Sequence, residues 1–307
     1  MEIVEDKSKL AYHLAGVIPV AGQSLDFNMS WSDCLMPVAP NYTAIESAVY
    51  ECAMAGCETI WIVCNDDTSP LIRHRVGEYV FDPVWFNRSM DRFPSTSRRV
   101  IPIFYVPIHP TDRDRRDCLG WSVLHGALTA FKIGHKISKW TAPDRYYVSF
   151  PYGVFDPTII RPHRKLISSQ SPFCLRYAGK TIKDGEYLSF TFNGEDFVRF
   201  RRTIRKEGTG AWDPDSELRD GLYPTERLPI EKRWSARHFS LDKIFRDVIL
   251  DNVGIIDLQW YYNIGSWKGY KQFLGSSDEL ERPSEQLLGY KEFNPIGEDN
   301  ADNQSTS

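Results

Sequence analysis

Paired aspartates are the clearest candidates for chemistry in this sequence. Asp66 and Asp67 directly follow Thr59–Val63, an apolar run typical of a buried strand, and Asp112 and Asp114 form an Asp-Arg-Asp triplet. Convergent carboxylates suit a hard divalent cation such as Mg²⁺, and open α/β sheets bind ligands at the carboxyl ends of their strands. Either pair could therefore hold a metal ion, although the alternating charges around Asp112 are more often typical of a solvated, self-paired loop.

Two basic stretches offer a second kind of chemistry. They run from Arg161 to Lys165 and from Arg199 to Lys206. Phe197 and Phe200 interleave with the second stretch, so stacked bases on a phosphate backbone are one interpretation. The alternative is a helix that turns these aromatic rings and Ile204 toward the core and leaves the arginines in solvent. A nucleic-acid role requires the two stretches to share one face, and the formal net charge of −4 gives no overall attraction to nucleic acid.

The composition is that of an ordinary globular protein. Of the 307 residues 42% are hydrophobic, and the high aromatic content of 13% indicates a large core or an aromatic-rich interface. No apolar run reaches the roughly 20 residues of a membrane span, and the acidic start of the chain differs from a signal peptide. The six cysteines lack CxxC spacing and are interpreted as reduced, mostly buried thiols. Together these features predict a cytoplasmic protein with no membrane association.

Hydrophobic periodicity predicts alternating strands and helices in the first half of the chain. A capping box, with Thr43 as N-cap and Glu46 three residues later, begins a helix that Gly56 ends. The predicted elements, in chain order, are strand 17–21, helix 41–55, strand 59–63, helix 71–80, strand 100–106, helix 121–131 and strand 145–148. Strands that alternate with helices predict an α/β fold: a Rossmann-like three-layer sandwich whose mixed, mostly parallel sheet carries helices on both faces.

The second half is less regular. Turns are predicted at 183–185 and 193–195, a helix over 240–250 and a strand over 255–260, with a Pro- and Gly-rich insertion near 208–235. We expect one domain over 1–284 and a polar, disordered tail over 285–307.

Two distant segments resemble the sugar-phosphate nucleotidyltransferase family. The first, Ala15–Asn65, contains a strand, a turn at Gly22, the sequence LMPV, a helix and a second strand, in the order of the family's opening βαβ unit. The second, YYNIGSWKGYKQFLG near residue 261, is similar to the family motif W-x-D-I-G-T-x-x-x-Y-x-x-x-L. The resemblance implies a nucleotidyltransferase-like, glycosyltransferase-A-type fold.

In that family the loop after the first strand, A-G-x-G-T-R, closes its backbone N–H groups on a nucleoside triphosphate, and a nearby lysine adds charge. The resemblance places Ser24 at the second glycine, Asp26 at the arginine and Asp33 at the lysine. Carboxylates at both cationic positions would repel a triphosphate. The nucleotide-binding positions implied by the resemblance are Ala21, Gly22, Gln23, Ser24 and Gly120.

The family's two metal-binding aspartates also have counterparts. By resemblance they fall on Tyr152, in the turn after the fourth predicted strand, and on Asn263, in the second motif. Neither a phenol nor an amide replaces a carboxylate toward a hard cation. If the carboxylates have moved, the alternatives are Asp66, Asp112, Asp114 and Asp156.

The sequence therefore leaves more than one function open. The first hypothesis is a degenerate, non-catalytic member that needs no cofactor and acts in protein binding or assembly. The second is a divergent nucleotidyltransferase or nucleotide-sugar-dependent glycosyltransferase, with Mg²⁺ held at a rearranged site. The third is a nucleic-acid-associated transferase docked through the basic stretches, which the net charge disfavours.

Overall fold

The structure is a computed structural model of the whole chain. It describes residues 13–22, 32–84, 99–113, 116, 118–137, 142–169, 171–213, 215–219, 221, 223–236, 238–248 and 254–283.

The strands in the described residues are β1 Leu14–Pro19, β2 Pro37–Ala39, β3 Tyr42–Thr43, β4 Thr59–Cys64, β5 Tyr79–Phe81, β6 Val100–Pro107, β7 Arg145–Val148, β8 Gly153–Val154, β9 Phe173–Arg176, β10 Phe190–Phe192, β11 Thr209–Gly210, β12 Leu218–Arg219, β13 Tyr223–Pro224, β14 Trp234–Ser235, β15 Gly254–Asp257 and β16 Tyr262–Asn263. The α-helices are α1 Ala44–Ala55, α2 Ser69–Val76, α3 Pro110–Arg113, α4 Leu119–Ile137, α5 Arg164–Ile167, α6 Gly194–Gly208, α7 Leu241–Phe245 and α8 Trp267–Leu274. Short 3₁₀ segments occupy Asp33–Leu35, Pro157–His163, Ile182–Asp184 and Ile230–Lys232.

One eight-stranded sheet organises the fold, in the order β15-β9-β10-β7-β1-β4-β6-β5. β1 lies in the middle and pairs in parallel with both β4 and β7, and β4 pairs in parallel with β6. β10 is antiparallel to both of its neighbours, and β5 is antiparallel to β6. The mostly parallel mixed sheet predicted from the sequence is confirmed.

Helices cover both faces of this sheet, which confirms the three-layer sandwich. Alternate residues of each strand enter two separate cores: Val17 packs with α4, α6 and α7 on one face, and Ile18 packs with α1, α2 and α5 on the other. Glycines let the helices approach closely. A Cβ on Gly16 would lie 2.9 Å from the sulfur of Cys52 in α1, and one on Gly126 of α4 would lie 2.7 Å from Val63.

The helix-start and helix-stop signals behave as predicted at α1. The Glu46 carboxylate accepts hydrogen bonds from the Thr43 backbone N–H, at 2.8 Å, and from the Thr43 hydroxyl, at 2.7 Å. Gly56 ends the helix in the left-handed conformation, with φ of 91°. The predicted helix over 71–80 is wrong at its end. Gly77, with φ of 84°, stops α2 and starts the turn into edge strand β5.

The second half of the chain completes the sheet. Asn193 caps α6, since its side-chain oxygen accepts from the backbone N–H groups of Glu195 and Asp196. The insertion over 209–235 forms two short ribbons, β11 with β14 and β12 with β13. The predicted tail over 285–307 lies outside the described residues. None of the described helices has the length and apolar character of a membrane crossing, and all six cysteines are buried thiols.

Candidate functional site at the carboxyl edge of the sheet

The described start of the loop after β1, Val20–Gly22, is held against its neighbours. The backbone N–H groups of Val20 and Ala21 both donate to the carbonyl of Val63, at 2.8 and 3.0 Å. The Ser122 hydroxyl in α4 donates to the carbonyl of Ala21 at 2.5 Å. Gly22 follows with φ of 83°, and a Cβ there would lie 2.6 Å from the backbone of Cys118. These N–H groups are therefore already used within the fold at the point where the resemblance implies phosphate binding.

The five residues that the resemblance assigns to nucleotide binding differ in where the structure places them. Ala21 is buried and Gly22 lines a cavity. Gly120 is a packing residue, since a Cβ on it would lie 2.2 Å from the end of the Ile244 side chain in α7. Gln23 and Ser24 lie outside the described residues, as does Asp26.

The structure brings Tyr152 and Asn263 together, although they are far apart in the sequence. Asn263 is the register partner of Gly153 in the ribbon of β8 and β16. The backbone N–H of Ile264 donates to the carbonyl of Tyr152 at 2.9 Å. The two positions that the resemblance assigns to metal-binding aspartates thus belong to one place at the edge of the sheet.

The side chain of Tyr152 is enclosed. It is 1% exposed, and its ring lies 5.6 Å from that of Tyr187. Burial raises the pKa of the Tyr152 hydroxyl well above its usual value, and the nearby Cys34 and Asp33 side chains add to the rise. The phenol is therefore neutral throughout the physiological range and offers no charge to a cation.

Both polar atoms of the Asn263 side chain are engaged. Its amide nitrogen donates to the Glu186 carboxylate at 3.1 Å, and its oxygen accepts from the Gly265 backbone N–H at 3.0 Å. Glu186 also lies 3.2 Å from the ammonium of Lys180. Sequence reasoning missed Glu186 and Tyr187. They precede the short strand β10, and the only local signal for them is the turn ending at Gly185.

Asp33 lies beside this cluster in the 3₁₀ turn Asp33–Leu35. It is half-buried, and burial raises the pKa of its carboxyl. In the described part of the chain, Asp33 forms no ion pair with a lysine, arginine or histidine. The position that the resemblance assigns to a lysine is therefore occupied by a carboxyl group without a cationic partner among the described residues.

Asp112 and Asp156, two of the alternative metal carboxylates, interact with neighbouring groups of the chain. The Asp156 carboxylate accepts from the Thr158 N–H and hydroxyl, at 2.9 and 2.6 Å, and so caps the following 3₁₀ segment. Asp112 lies 4.0 Å from Arg116. Asp66 and Asp67 follow β4, where Asp67 accepts from the Thr68 N–H at 3.0 Å. Asp114 lies outside the described residues. In the ranges that the structure describes, no group of three or more His, Cys, Asp or Glu side chains could hold a metal ion.

A cavity of about 370 Å³ opens beside Gly22. The loop after β1 and the start of α4 line one side, and two segments that sequence reasoning did not single out line the other: Asp184–Tyr187 and His238–Asp242. The carboxylates of Asp184 and Asp242 lie at its exposed rim, and no lysine or arginine is among the described residues that line it. The Asp184 carboxylate also accepts from the Thr181 N–H at 2.9 Å.

A buried carboxylate supports the segment that leads to Tyr152. Glu51, in α1, is 2% exposed and accepts from the hydroxyls of Tyr147, at 2.7 Å, and Ser149, at 2.6 Å, and from that of Ser189. Burial raises the pKa of Glu51 to about 7, against the opposing effect of these three hydrogen bonds. Sequence reasoning missed this role, because Glu51 occupies an apolar face of a helix without a nearby cation.

The two basic stretches lie on opposite faces of the sheet. Phe200 and Ile204 of α6 are buried in one core, with Phe197 packed against it, and Ile160 and Ile167 fix the other stretch in the second core. Arg164 makes a two-fold hydrogen bond to the buried Asp82, at 2.7 and 2.8 Å. The core-facing interpretation of α6 is confirmed, and the single basic face that a nucleic-acid role required is absent from the described residues.

Comparison with known proteins gives structural neighbours only. No family model matches the chain, and no curated protein matches it. Similar solved structures include a Bacillus anthracis protein described as a glucose-1-phosphate thymidylyltransferase, in complex with a sucrose, at 12% identity and a TM-score of 0.49, covering 88% of this chain and 98% of that one.

A nucleoside-diphosphate-sugar pyrophosphorylase from Vibrio cholerae aligns at 14% identity with a TM-score of 0.44, over 85% of this chain and 100% of that one. A UTP-bound UGPase from Acinetobacter baumannii aligns at 14% identity with a TM-score of 0.48, over 85% and 92%. These neighbours are sugar-phosphate nucleotidyltransferases, the family that the sequence resembles. Because every TM-score quoted is below 0.5, no activity is assigned to this chain from them.

Proposed function

We propose that this chain is a non-catalytic protein with a nucleotidyltransferase-like scaffold that acts as a binding or assembly component. The observation that carries the proposal is the pairing of Tyr152 with Asn263. The strand ribbon holds the two positions together, yet one side chain is a buried neutral phenol and the other is an amide with both polar atoms bonded. Neither group binds a hard divalent cation as a carboxylate does.

The described start of the loop after β1, Val20–Gly22, supports the same proposal. A triphosphate is bound by backbone N–H groups that point out of a turn. Here the N–H groups of Val20 and Ala21 point back to the Val63 carbonyl. Freeing them would cost two hydrogen bonds, each contributing about 1 kcal/mol to stability.

The charge of the cavity argues against a phosphorylated ligand. Its rim carries Asp184 and Asp242, without a lysine or arginine among its described lining. Like charges repel in a partly desolvated site, so a nucleotide triphosphate would be disfavoured there.

Thermal stability and turnover together test this proposal. The purified protein is heated with each common nucleoside triphosphate and with UDP-, GDP- and dTDP-sugars, with and without Mg²⁺ or Mn²⁺. A ligand that binds the folded state at 100 times its Kd adds about 2.7 kcal/mol, a shift of a few degrees. We expect no metal-dependent shift and no release of pyrophosphate from any triphosphate with sugar 1-phosphates. A metal-dependent shift for one nucleotide, with pyrophosphate release, would overturn the proposal.

One observation favours the alternative, a divergent nucleotidyltransferase or nucleotide-sugar-dependent glycosyltransferase. The cavity lies beside Gly22 and the start of α4, where an open α/β sheet binds ligands, and its two aspartates are separate from the ribbon of Tyr152 and Asn263. On this alternative, Asp242→Asn abolishes turnover and Asp112→Asn leaves it unchanged. Equal turnover in both variants would remove the cavity aspartates from the reaction.

A further inference from the structure

The exposed side of α6 is basic over two helical turns. Its solvent-facing residues from Arg201 onward form a basic row: Arg201, Arg202, Arg205 and Lys206. They stand at the i, i+1, i+4, i+5 positions that share one side of a helix. Glu195, the exposed acid of this side, lies at the start of the helix, before Val198.

Three of the four residues of the basic row, Arg201, Arg202 and Lys206, are not neutralised by an ion pair in the described part of the chain. By contrast, Arg199, which is partly buried, pairs with Asp196 in the preceding turn. The protein as a whole carries a formal charge of −4, so the basic row is a positive patch on a protein of negative net charge.

An exposed tryptophan lies just beyond the end of the basic row. α6 ends at Gly208, and Gly210 then pairs with Trp234 across the ribbon of β11 and β14. The indole covers Gly210 so closely that a Cβ there would lie 1.8 Å from its nitrogen, yet 52% of Trp234 is exposed. Tryptophan and arginine are the residues that most often anchor protein interfaces.

The charge and apolar content of this surface distinguish three kinds of anionic partner: a nucleic acid, a membrane surface and an acidic peptide. A nucleic acid would need a wider basic face, but the second basic stretch is on the opposite layer, and the net charge of −4 gives no overall attraction to nucleic acid. A membrane surface would need an apolar side along the helix, and Val198 alone provides it at the exposed positions of α6. A short peptide with spaced carboxylates and one apolar side chain supplies the groups that complement the row and the indole.

We propose that the basic row and Trp234 form a docking surface for an acidic segment of a protein partner, with carboxylates facing the row and an apolar side chain against the indole. The docking surface is independent of whether the edge of the sheet is catalytic.

The test uses a fluorescent probe peptide, Asp-Glu-Asp-Glu-Phe-Asp-Glu-Asp, and the full-length protein. Fluorescence anisotropy gives the Kd at about 50 mM and at about 300 mM salt. Binding through exposed charges should be weaker at the higher concentration, because salt screens them. R201Q/R202Q removes two exposed charges from the row. R161Q/K165Q removes two exposed charges from the opposite layer and is the matched control.

We expect R201Q/R202Q to weaken peptide binding about 5-fold, the value for two exposed ion pairs of moderate strength, and R161Q/K165Q to weaken it less than about 2-fold. A peptide with Ser in place of Phe should bind more weakly to the wild type. Both variants should keep the wild-type Tm, since the replaced groups are in solvent.

Three results would overturn the proposal. The first is equal weakening by both variants, and the second is no saturable binding of the peptide at low salt. The third is tighter binding, sensitive to R201Q/R202Q, of a single-stranded DNA oligonucleotide or of phosphatidylserine vesicles, which would identify a phosphate-bearing partner instead.

Discussion

The side-chain amide of Asn263 donates a hydrogen bond to the carboxylate of Glu186 over 3.1 Å, beside the partly buried ring of Tyr187. This contact is a physical reason why an aspartate at position 263 would be unfavourable. A carboxylate in place of the amide would face the Glu186 carboxylate across a half-buried gap, and two acidic groups at this separation disfavour the folded state.

The first prediction concerns that contact. Asn263→Asp should lower the free energy of unfolding by about 1–3 kcal/mol, because Glu186 loses its donor and gains a like charge. Urea denaturation at pH 7.5 measures the loss. Adding E186Q to the variant restores a donor opposite the new carboxylate and should recover part of the stability. A double variant no more stable than N263D would mean that the two side chains are not coupled.

The second prediction concerns the pH dependence of stability through Glu51. Its folded pKa of about 7 is above the usual value, so the folded state binds more protons than the unfolded state between about pH 4.5 and 7. The contribution of Glu51 is therefore fully present below that range, falls as the pH rises through it, and is constant above pH 7.

Replacing Glu51 with Gln removes the titrating group and keeps a side chain that can accept from Tyr147 and Ser189. The unfolding free energy of the wild type, relative to E51Q, should fall by about 2 kcal/mol between pH 5 and pH 7.5. Urea titrations at half-unit intervals give this difference. Parallel curves for the two proteins would show that Glu51 does not titrate in this range.

The third prediction separates two contributions to the cost of replacing Gly22 by alanine: the backbone conformation and the steric contact of the new Cβ. Gly22 and Gly77 have nearly equal φ values, 83° and 84°, but a Cβ on Gly22 would meet the Cys118 backbone at 2.6 Å, whereas one on Gly77 has nothing within 4 Å. G77A should cost about 1–3 kcal/mol from backbone conformation alone, because φ of 84° with ψ of −162° is a region occupied almost only by glycine. G22A should cost at least about 1–3 kcal/mol more, because the loop after β1 must move away from α4.

Thermal and urea denaturation of the two glycine variants provide the measurement. If G22A and G77A are equally stable, Gly22 can move away from Cys118 at little cost, and packing does not hold the start of the loop after β1 in place.

The fourth prediction distinguishes neighbouring basic residues in the 161–165 stretch. R164Q leaves the buried Asp82 with Arg99 at 3.8 Å as its remaining described ion-pair partner and should destabilise the fold by about 3 kcal/mol. K165Q changes an exposed side chain and should stay within about 0.5 kcal/mol of the wild type. Chemical denaturation of both variants decides the point, and a neutral R164Q would contradict the structural role given to Arg164.

The regular elements were largely predictable because their signals are local. The apolar stripe of α1, its start at Thr43 and its stop at Gly56 are all read within one short window of the chain. The error at the end of α2 has the same origin: Val80 fits a helical stripe, but tertiary pairing places it in β5 opposite Ile101.

The alternation of strands and helices, the two buried faces of each central strand and the absence of carboxylates at positions 152 and 263 all follow from the amino-acid sequence. Three features depend on how distant segments pack: Tyr152 and Asn263 share a ribbon, the Val63 carbonyl accepts from the N–H groups of Val20 and Ala21, and the basic stretches lie on opposite layers. Periodicity and capping depend on residues a few positions apart, whereas hydrogen-bond partners, burial and pKa shifts depend on which distant segments pack together.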